Sequence, residues 1–531
     1  GMDERIENLS LGLSFTSTAR DLAEFTYLPK GEFFVDSLNA RLKHYPHKLH
    51  DFFVDILIDE EDLRIKNFKG YIDDSDFELN GTVHDYAFWM KDSLEGDVLV
   101  DLGLEAKRLR LEDLFAYQGE NYVPEDWRHE EFDDLKLHFT SGMHYVPSGL
   151  HSIDVDLDLF DAKMHLHPMR FQNVSGRFHY EDDHILVENF HGELGRTVLN
   201  VDASYYTGED STETGRENFL TLKTNYIDFD QLTNFNPEPP KEESPDSLPA
   251  PTTDDVAEHA EAYNLYELPF SDMRFDLEIG HFIYHRLDIQ DISAQLRTTE
   301  DHFLYVDTLS MKAAGGNIRM NGYFNGSNPK RIYLKPNLQV ENIDLDQLLF
   351  KFENFGQDAI VSENLHGQLT ATITGNIRVY PDFVPDLDQS EVHMDVMALN
   401  GRLENYEYML MLSDYFGDKN LSSVRFDTLQ NHLDMVNGVL TIPNMTIAST
   451  LGHMQISGKQ DLNENIEYYV RIPWKLIKQG AINRVFGSKK REGEEEDEIV
   501  EVDPNENIRY LNLKITGTID DFKVKPGRDR R

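Results

Sequence analysis

The sequence predicts a mainly β protein: repeated antiparallel β-meander units forming an elongated curved sheet or groove, with a few short helices. Three observations carry this. A seven-residue phrase recurs as RLRLEDL (108–114), YIDFDQL (226–232) and NIDLDQL (342–348), with Leu232 118 residues after Leu114 and Leu348 116 residues after Leu232. Repetition at a near-fixed period marks a chain built from stacked copies of one supersecondary unit. Between the phrases, apolar and polar residues alternate with period two, the pattern of half-buried strands. No crossover helix of about 10–15 residues separates these runs, so neighbouring strands pair as antiparallel meanders and not as βαβ units.

Taken in order, residues 1–117 form the first repeat. LSLGLSF (9–15), FFVDILI (52–58), DLRIKNF (62–68) and DFELNGTV (76–83) alternate as strands, and Asp73-Asp74 marks a turn. DVLVDLGLEAKRLRLEDL (97–114) runs on into the first copy of the phrase. The second repeat, 118–235, contains DVDLDLF (154–160), whose regular acid–aliphatic alternation gives one apolar face and one acidic face. Within it YEDDHILVENFHG (180–192) aligns with IDEEDLRIKNFKG (58–70) at an offset of 122. The third repeat, 264–352, repeats the theme in TEDHFLYVDTL (299–309) and GGNIRMNGYF (315–324). The fourth, 353–531, repeats it in NGVLTIPNMTIASTLGHMQISG (437–458). Each copy reads as a hairpin turn, an aliphatic strand, a short crossing, then a strand ending near a small residue. Asp202-Ala203 and Asn321-Gly322 stand where the first repeat has Asn80-Gly81.

The joints have another character. Residues 236–263 hold six of the 20 prolines and many acids, the composition of a linker or disordered loop. Residues 488–507 are a second acidic loop, with no order of Ca²⁺ ligands in EGEEEDE (492–498). Short helices are expected after each copy of the phrase, and EYMLMLSDYFG (407–417) reads as an inserted helix.

Composition bounds the function. The 531 residues carry 50 basic and 97 acidic side chains, a formal charge of −47, which repels the phosphates of nucleic acid. There is no cysteine, hence no disulfide or thiolate chemistry, and no apolar run of 18 or more residues. Gly1 before Met2 reads as a tag remnant, and a pattern that starts almost at once suggests a chain cut from a longer one, without an anchor segment. No signature of a hydrolase, P-loop, zinc protease or dinucleotide enzyme is present. Acidic pairs such as Asp156 with Asp158 and Glu181 with Asp182 arise from composition alone, so an enzyme is not expected. His165 and His167 share a strand face as two metal ligands must, and His184 recurs as His302. All four are read as ordinary polar positions, and no metal or other cofactor is expected.

The block FDTLQNHLDMVNGVLTIPNMTIASTLGHMQISGKQDLNENIEYYVRIP (426–473), with the closing LNLKITGTIDDFKVKP (511–526), resembles the C-terminal region of AsmA-family proteins. The resemblance is clearest over about 390–526 and rests on strand and turn patterns: an apolar strand, an N-G turn, an alternating strand, a G-x-x-D-L step and a Pro-ended finish. It implies a periplasmic body, similar to TamB-like and bridge-like lipid-transport proteins, anchored in the inner membrane by an N-terminal helix. A groove in that body binds phospholipid or other acyl-chain lipid, in lipid transport between inner and outer membranes and outer-membrane integrity. Partners implied are membrane surfaces at one or both ends and envelope proteins. The alternating aliphatics Val155, Leu157 and Leu159, Phe275, Leu277 and Ile279, and Met454 with Ile456 are the candidate groove lining. A register slip of one residue would reverse each set. WKLIKQGAINRVFGSKKR (474–491) has a basic amphipathic pattern, which makes Trp474, Lys475, Lys478, Arg484 and Phe486 candidates for docking on a membrane or partner; the bland reading is a helix that caps the sheet. The rival architecture is a scaffold or adhesin-like array of closed β-sandwiches that binds protein.

Overall fold

In a computed structural model, the structure describes residues 5–18, 30–42, 45–59, 62–86, 88, 95–114, 116–117, 120–121, 123, 128–165, 170–207, 217–229, 270–284, 287–351, 364–381, 384–405, 421–463, 465–474, 499, 509–518 and 521–527. The expected linker at 236–263, the helix at 407–417 and the acidic run 492–498 lie outside these residues, as does all of the 488–507 loop except residue 499. The described chain is almost entirely strand: a two-stranded ribbon and a 26-stranded, nearly all antiparallel hydrogen-bond ladder.

Two compact units divide it. The first holds β1 (Arg5–Thr16), β2 (Lys30–Arg41), β3 (Lys48–Ile58), β4 (Asp62–Ile72), β5 (Ser75–His84) and β6 (Gly96–Arg110). Then come the one-turn helix α1 (Leu111–Leu114) and the ribbon β7 (Ala116–Tyr117) with β8 (Glu120–Asn121). The unit continues with β9 (Glu131–Val146), β10 (Gly149–Met164), β11 (Arg170–Glu181), β12 (His184–Leu194), β13 (Thr197–Tyr206), β14 (Asn218–Thr224) and β15 (Ile227–Asp228). Residues Met273–Ile279 of β16 (Met273–Tyr284) complete it, paired parallel to β14.

The second unit takes β17 (Leu287–Thr298), β18 (Phe303–Ala313), β19 (Gly316–Asn325), β20 (Ile332–Asp344), helix α2 (Leu345–Lys351), β21 (Leu365–Val379), β22 (Pro385–Glu404) and β23 (Ser423–Val436). It ends with β24 (Val439–Ser449), β25 (Gly452–Asp461), β26 (Asn465–Pro473), β27 (Tyr510–Thr518) and β28 (Phe522–Pro526). Neither unit is a string of separate sandwiches. Strand β6 pairs with β9 across the boundary between the first two repeats, and β20 pairs with β21 across the boundary between the last two.

The recurring phrase becomes a strand running into a short helix in two copies, at Arg110 into α1 and at Asp344 into α2. Asp344 caps α2 by accepting the Gln347 N–H on Oδ1 at 3.0 Å. Tight turns fall on the expected Asx residues: Asn437 and Gly438 both have positive φ, 48° and 72°, as a type I′ hairpin turn requires.

Two expectations about the repeat are corrected. What read as a short crossing is a β-bulge inside one continuous strand. In IKNF (65–68), VENF (187–190), VDTL (306–309), VENI (340–343) and IPNM (442–445), three residue steps face two on the next strand. The extra residue keeps both flanking apolar side chains on one face although they are three apart. The small residue does not end its strand either. Gly81, Gly322 and Gly458 stand mid-strand, opposite the first residue of the bulge (Ile65, Val306 and Ile442), each 16 positions later.

Candidate functional site

The register of the first unit aligns its apolar residues into rows that cross the whole sheet. One row runs Phe15–Gly31–Ile58–Leu63–Val83–Val100–Ser141–Val155–Phe178–Val187–Ala203–Leu220–Phe275, each residue directly opposite the next through 13 strands, with buried Ser141 its one polar member. Beside it, Ile65–Gly81–Leu102–Phe139–Leu157–Gly176 forms a parallel row. Direct partners and i, i+2 residues share a face, so the rows make one apolar surface. In the second unit Ala294–Leu309–Met320–Leu338–Ile373–Met394–Leu433 crosses seven strands in the same way.

Coverage of this face is uneven. At one end of the strands in the first unit, Ala106, Leu109, Leu135 and Ala162 are buried with Leu114 of α1 against them. At the other end Phe88 closes over Val98 and Val100. Away from these caps Phe139, Leu157, Leu222 and Leu277 are only half-buried. The second unit repeats the arrangement at one end, where Leu348 of α2 packs on Ala314, Ile318, Val340, Ile343 and Ala371. The opposite face of the first unit is polar: Thr82–Asp101–Thr140–Asp156–Arg177–Glu188 is a row of direct partners. In it Arg177 Nε donates to Asp156 Oδ1 at 2.7 Å, and the ion pair raises the guanidinium pKa.

Seven of the eight groove candidates fall on the apolar face. Val155 and Leu157 lie in the two rows of the first unit, and Phe275, Leu277 and Ile279 stand opposite Leu220, Leu222 and Thr224. Met454 is buried with Leu451, Val470 and Leu513, and Ile456 packs against that cluster. Leu159 is corrected. A bulge at Asp158 interrupts the alternation, so Leu159 pairs with His138, two residues from Thr140 on the polar face, while Phe160 takes the apolar place opposite Leu137. Of the docking candidates only Trp474 is described; it is exposed, with its backbone N–H on the Arg509 carbonyl at 2.8 Å. Lys475, Lys478, Arg484 and Phe486 lie outside the described residues.

The histidines singled out by the sequence do not converge. His165 is exposed, its N–H bonded to the Glu131 carbonyl at 3.0 Å, and His167 is outside the described residues. His184 stacks on Tyr206 at 4.0 Å, and His302, at φ 61°, stacks on Phe270 at 4.9 Å. Other histidines do converge with carboxylates: His47 with Asp73 and Asp113, His151 with Glu181 and Asp182, and His393 with His432 and Asp434. The first is a structural clip between the β4–β5 turn and α1. Buried Asp113 accepts from Ser75 Oγ at 2.6 Å, and the Tyr45 hydroxyl donates to the Asp113 carbonyl. Burial, then the charges of Asp113 and Asp73, push the Tyr45 pKa up to about 12. The third group was invisible to a linear reading. His393-Met394-Asp395 and His432-Leu433-Asp434 are the same H-x-D step, but only the β22–β23 register sets them face to face.

No helix among the described residues is long and apolar enough to cross a membrane. No protein-family model, curated protein or solved structure matches the chain.

Proposed function

We propose that the protein is a non-enzymatic lipid-binding protein whose half-covered apolar faces hold phospholipid or other acyl chains. In this reading it takes part in lipid transport between the inner and outer membranes and in outer-membrane integrity. The observation that carries the reading is the row across 13 strands of the first unit, apolar at every position but Ser141. An ordinary sheet buries such a face completely against a second layer. Here the caps lie over β5, β6, β9 and β10, while Phe139, Leu157, Leu222 and Leu277 are left half-buried. A surface of that form solvates an alkyl chain at about 0.8 kcal/mol per buried CH₂ and needs no single indispensable residue. The acidic polar face and the charge of −47 keep so much apolar surface in solution. The periplasmic location, the inner-membrane anchor and the docking on membrane surfaces or envelope proteins are part of the same proposal and rest on the resemblance to AsmA-family proteins.

Native mass spectrometry of protein purified from cells tests it, together with uptake of a fluorescent fatty-acyl probe. Co-purifying phospholipid and saturable probe uptake are expected. Leu157→Asp, in the middle of a row, should weaken probe binding by about tenfold or more while the strand signal in circular dichroism persists. A lipid-free protein that takes up no probe would sink the proposal and favour a protein-binding scaffold.

A further inference from the structure

The two H-x-D steps of the second unit lie on adjacent antiparallel strands in a reciprocal register. His393 is directly opposite Asp434, and Asp395 is directly opposite His432, so four chemically matched side chains form a plate on one face of β22 and β23. Met394 and Leu433, the residues between, pair on the other face, within the apolar row. The two imidazoles lie nearly parallel, 12° apart with ring centres at 6.3 Å.

The hydrogen bonds of the plate converge on one atom. Asp434 Oδ1 is 2.5 Å from His393 Nδ1 and 3.2 Å from His432 Nε2. Each ring's remaining nitrogen is held by an outer carboxylate: His432 Nδ1 by Asp395 Oδ1 at 2.8 Å, and His393 Nε2 by Glu391 Oε1 at 3.2 Å. Carboxylates orient metal-binding imidazoles in this way, holding one ring nitrogen from outside; the inward nitrogens, which here donate to Asp434 Oδ1, become ligands on losing those protons. With neutral imidazoles the plate carries three carboxylates and no compensating cation. Asp395 and His432 also border a shallow depression of about 370 Å³, lined further by Thr372, Met397 and Gln430, which leaves a side open for water or a fourth ligand.

We propose that this plate is a divalent transition-metal site of the zinc class, with His393 Nδ1, His432 Nε2 and the Asp434 carboxylate as ligands and Asp395 and Glu391 as orienting groups. A two-imidazole, one-carboxylate set suits zinc and its neighbours and not calcium or magnesium, which prefer all-oxygen shells. Tetrahedral zinc with bonds of about 2.0–2.1 Å separates its ligand atoms by about 3.3 Å. The present N···O separations are 2.5 and 3.2 Å, and all three ligand atoms lie within 4.8 Å of one another. The metal ties β22 to β23 and draws two protons away from the plate, so affinity falls as the imidazoles protonate.

The test uses the full chain, stripped with a chelator, and zinc ion alone as the probe. Isothermal titration at about pH 7.5 should show one equivalent bound more tightly than any other, weakened by more than about tenfold at about pH 5.5. His393→Asn, His432→Asn and Asp434→Asn should each remove that equivalent, and Asp395→Asn should weaken it by about tenfold or more. His151→Asn, at a separate histidine–carboxylate group, should leave it intact. Bound cobalt should give the intense visible bands of a four-coordinate ion, which report the site even where a variant lowers stability. If zinc binds the variants as it binds the parent chain, or binds no tighter than tens of micromolar, the plate is a set of ion pairs and the proposal fails.

Discussion

Glycine at three equivalent positions shows how far single residues set this fold. A Cβ on Gly81 would stand 2.0 Å from the Asp101 carbonyl, one on Gly322 2.2 Å from that of Lys335, and one on Gly458 2.4 Å from that of Glu467. Gly81 and Gly322 also have φ of 146° and 149°, which an L side chain avoids. Gly81→Ala should therefore destabilise the protein by about 2 kcal/mol or more, measured by urea unfolding, whereas Ala203→Gly at the matching place in the second repeat should cost only about 1 kcal/mol. The histidine plate gives a second residue-level expectation. Asp434, then Glu391, raise the His393 pKa, and Asp395 and Asp434 raise that of His432, while the two imidazoles hold the Asp434 carboxyl below its ordinary range. A raised histidine pKa contributes stability that is complete below the unfolded value and lost as pH rises through the folded value. A lowered aspartate pKa contributes stability that is present above the unfolded value and lost as pH falls through the folded one. In metal-free protein the plate thus stabilises most between the ordinary carboxylate and imidazole pKa values. Melting temperatures of the parent chain and of His393→Asn should differ most near pH 5–6 and converge above the raised imidazole pKa values. The periodic glycine was legible in the sequence because repeats align it. The plate was not, because its two H-x-D steps lie 39 residues apart and only strand register joins them.

Between residue and sheet, the bulge is the unit the repeat encodes. Apolar-x-x-apolar in the middle of an alternating run breaks the period of two, and a linear reading takes that break for a crossing or a phase error. The same break moved Leu159 out of the groove set and put Phe160 in its place. Alternation alone places every side chain up to the first bulge and none after it, unless the bulge itself is recognised. Several bulges carry an Asx residue at positive φ whose N–H is accepted by a side chain on the neighbouring strand. Asn189 N–H bonds Asp202 Oδ1 at 2.7 Å and Asp51 N–H bonds Asn39 Oδ1 at 2.8 Å. Helix α1 is fixed by comparable local chemistry. Ser75, fully buried, donates to Asp113 and accepts the Arg110 N–H at 3.0 Å. Asp113→Ala leaves those buried groups short of a partner and should cost about 1–3 kcal/mol in urea unfolding. The strand-to-helix step at α1 and α2 was readable from Asp and Leu spacing; the clip holding α1 was not, since Tyr45, His47 and Ser75 come from distant turns.

At the scale of the whole molecule, a meander makes most contacts local, and that has a consequence for how the chain assembles. Nearly every strand pairs with its neighbour in sequence, so each hairpin can form by closing a turn of a few residues and then template the next. Besides β6 with β9, which skips the short β7–β8 ribbon, the pairing of β14 with β16 is the departure within the first unit. It is parallel, and 48 residues separate Thr224 from Met273. Closing that connection costs about 3 kcal/mol more in chain entropy than closing a two-residue turn. No contact inside a hairpin compensates for this cost in advance, so the seam should form last and set the tempo of refolding. Shortening the Pro-rich stretch at 236–263 by half should speed the slowest refolding phase, seen by stopped-flow fluorescence, while the phases of hairpin formation keep their rates. The length of chain between β14 and β16 thus acts as a clock: it fixes how long Phe275, Leu277 and Ile279 stay unpaired while the rows beside them are already complete.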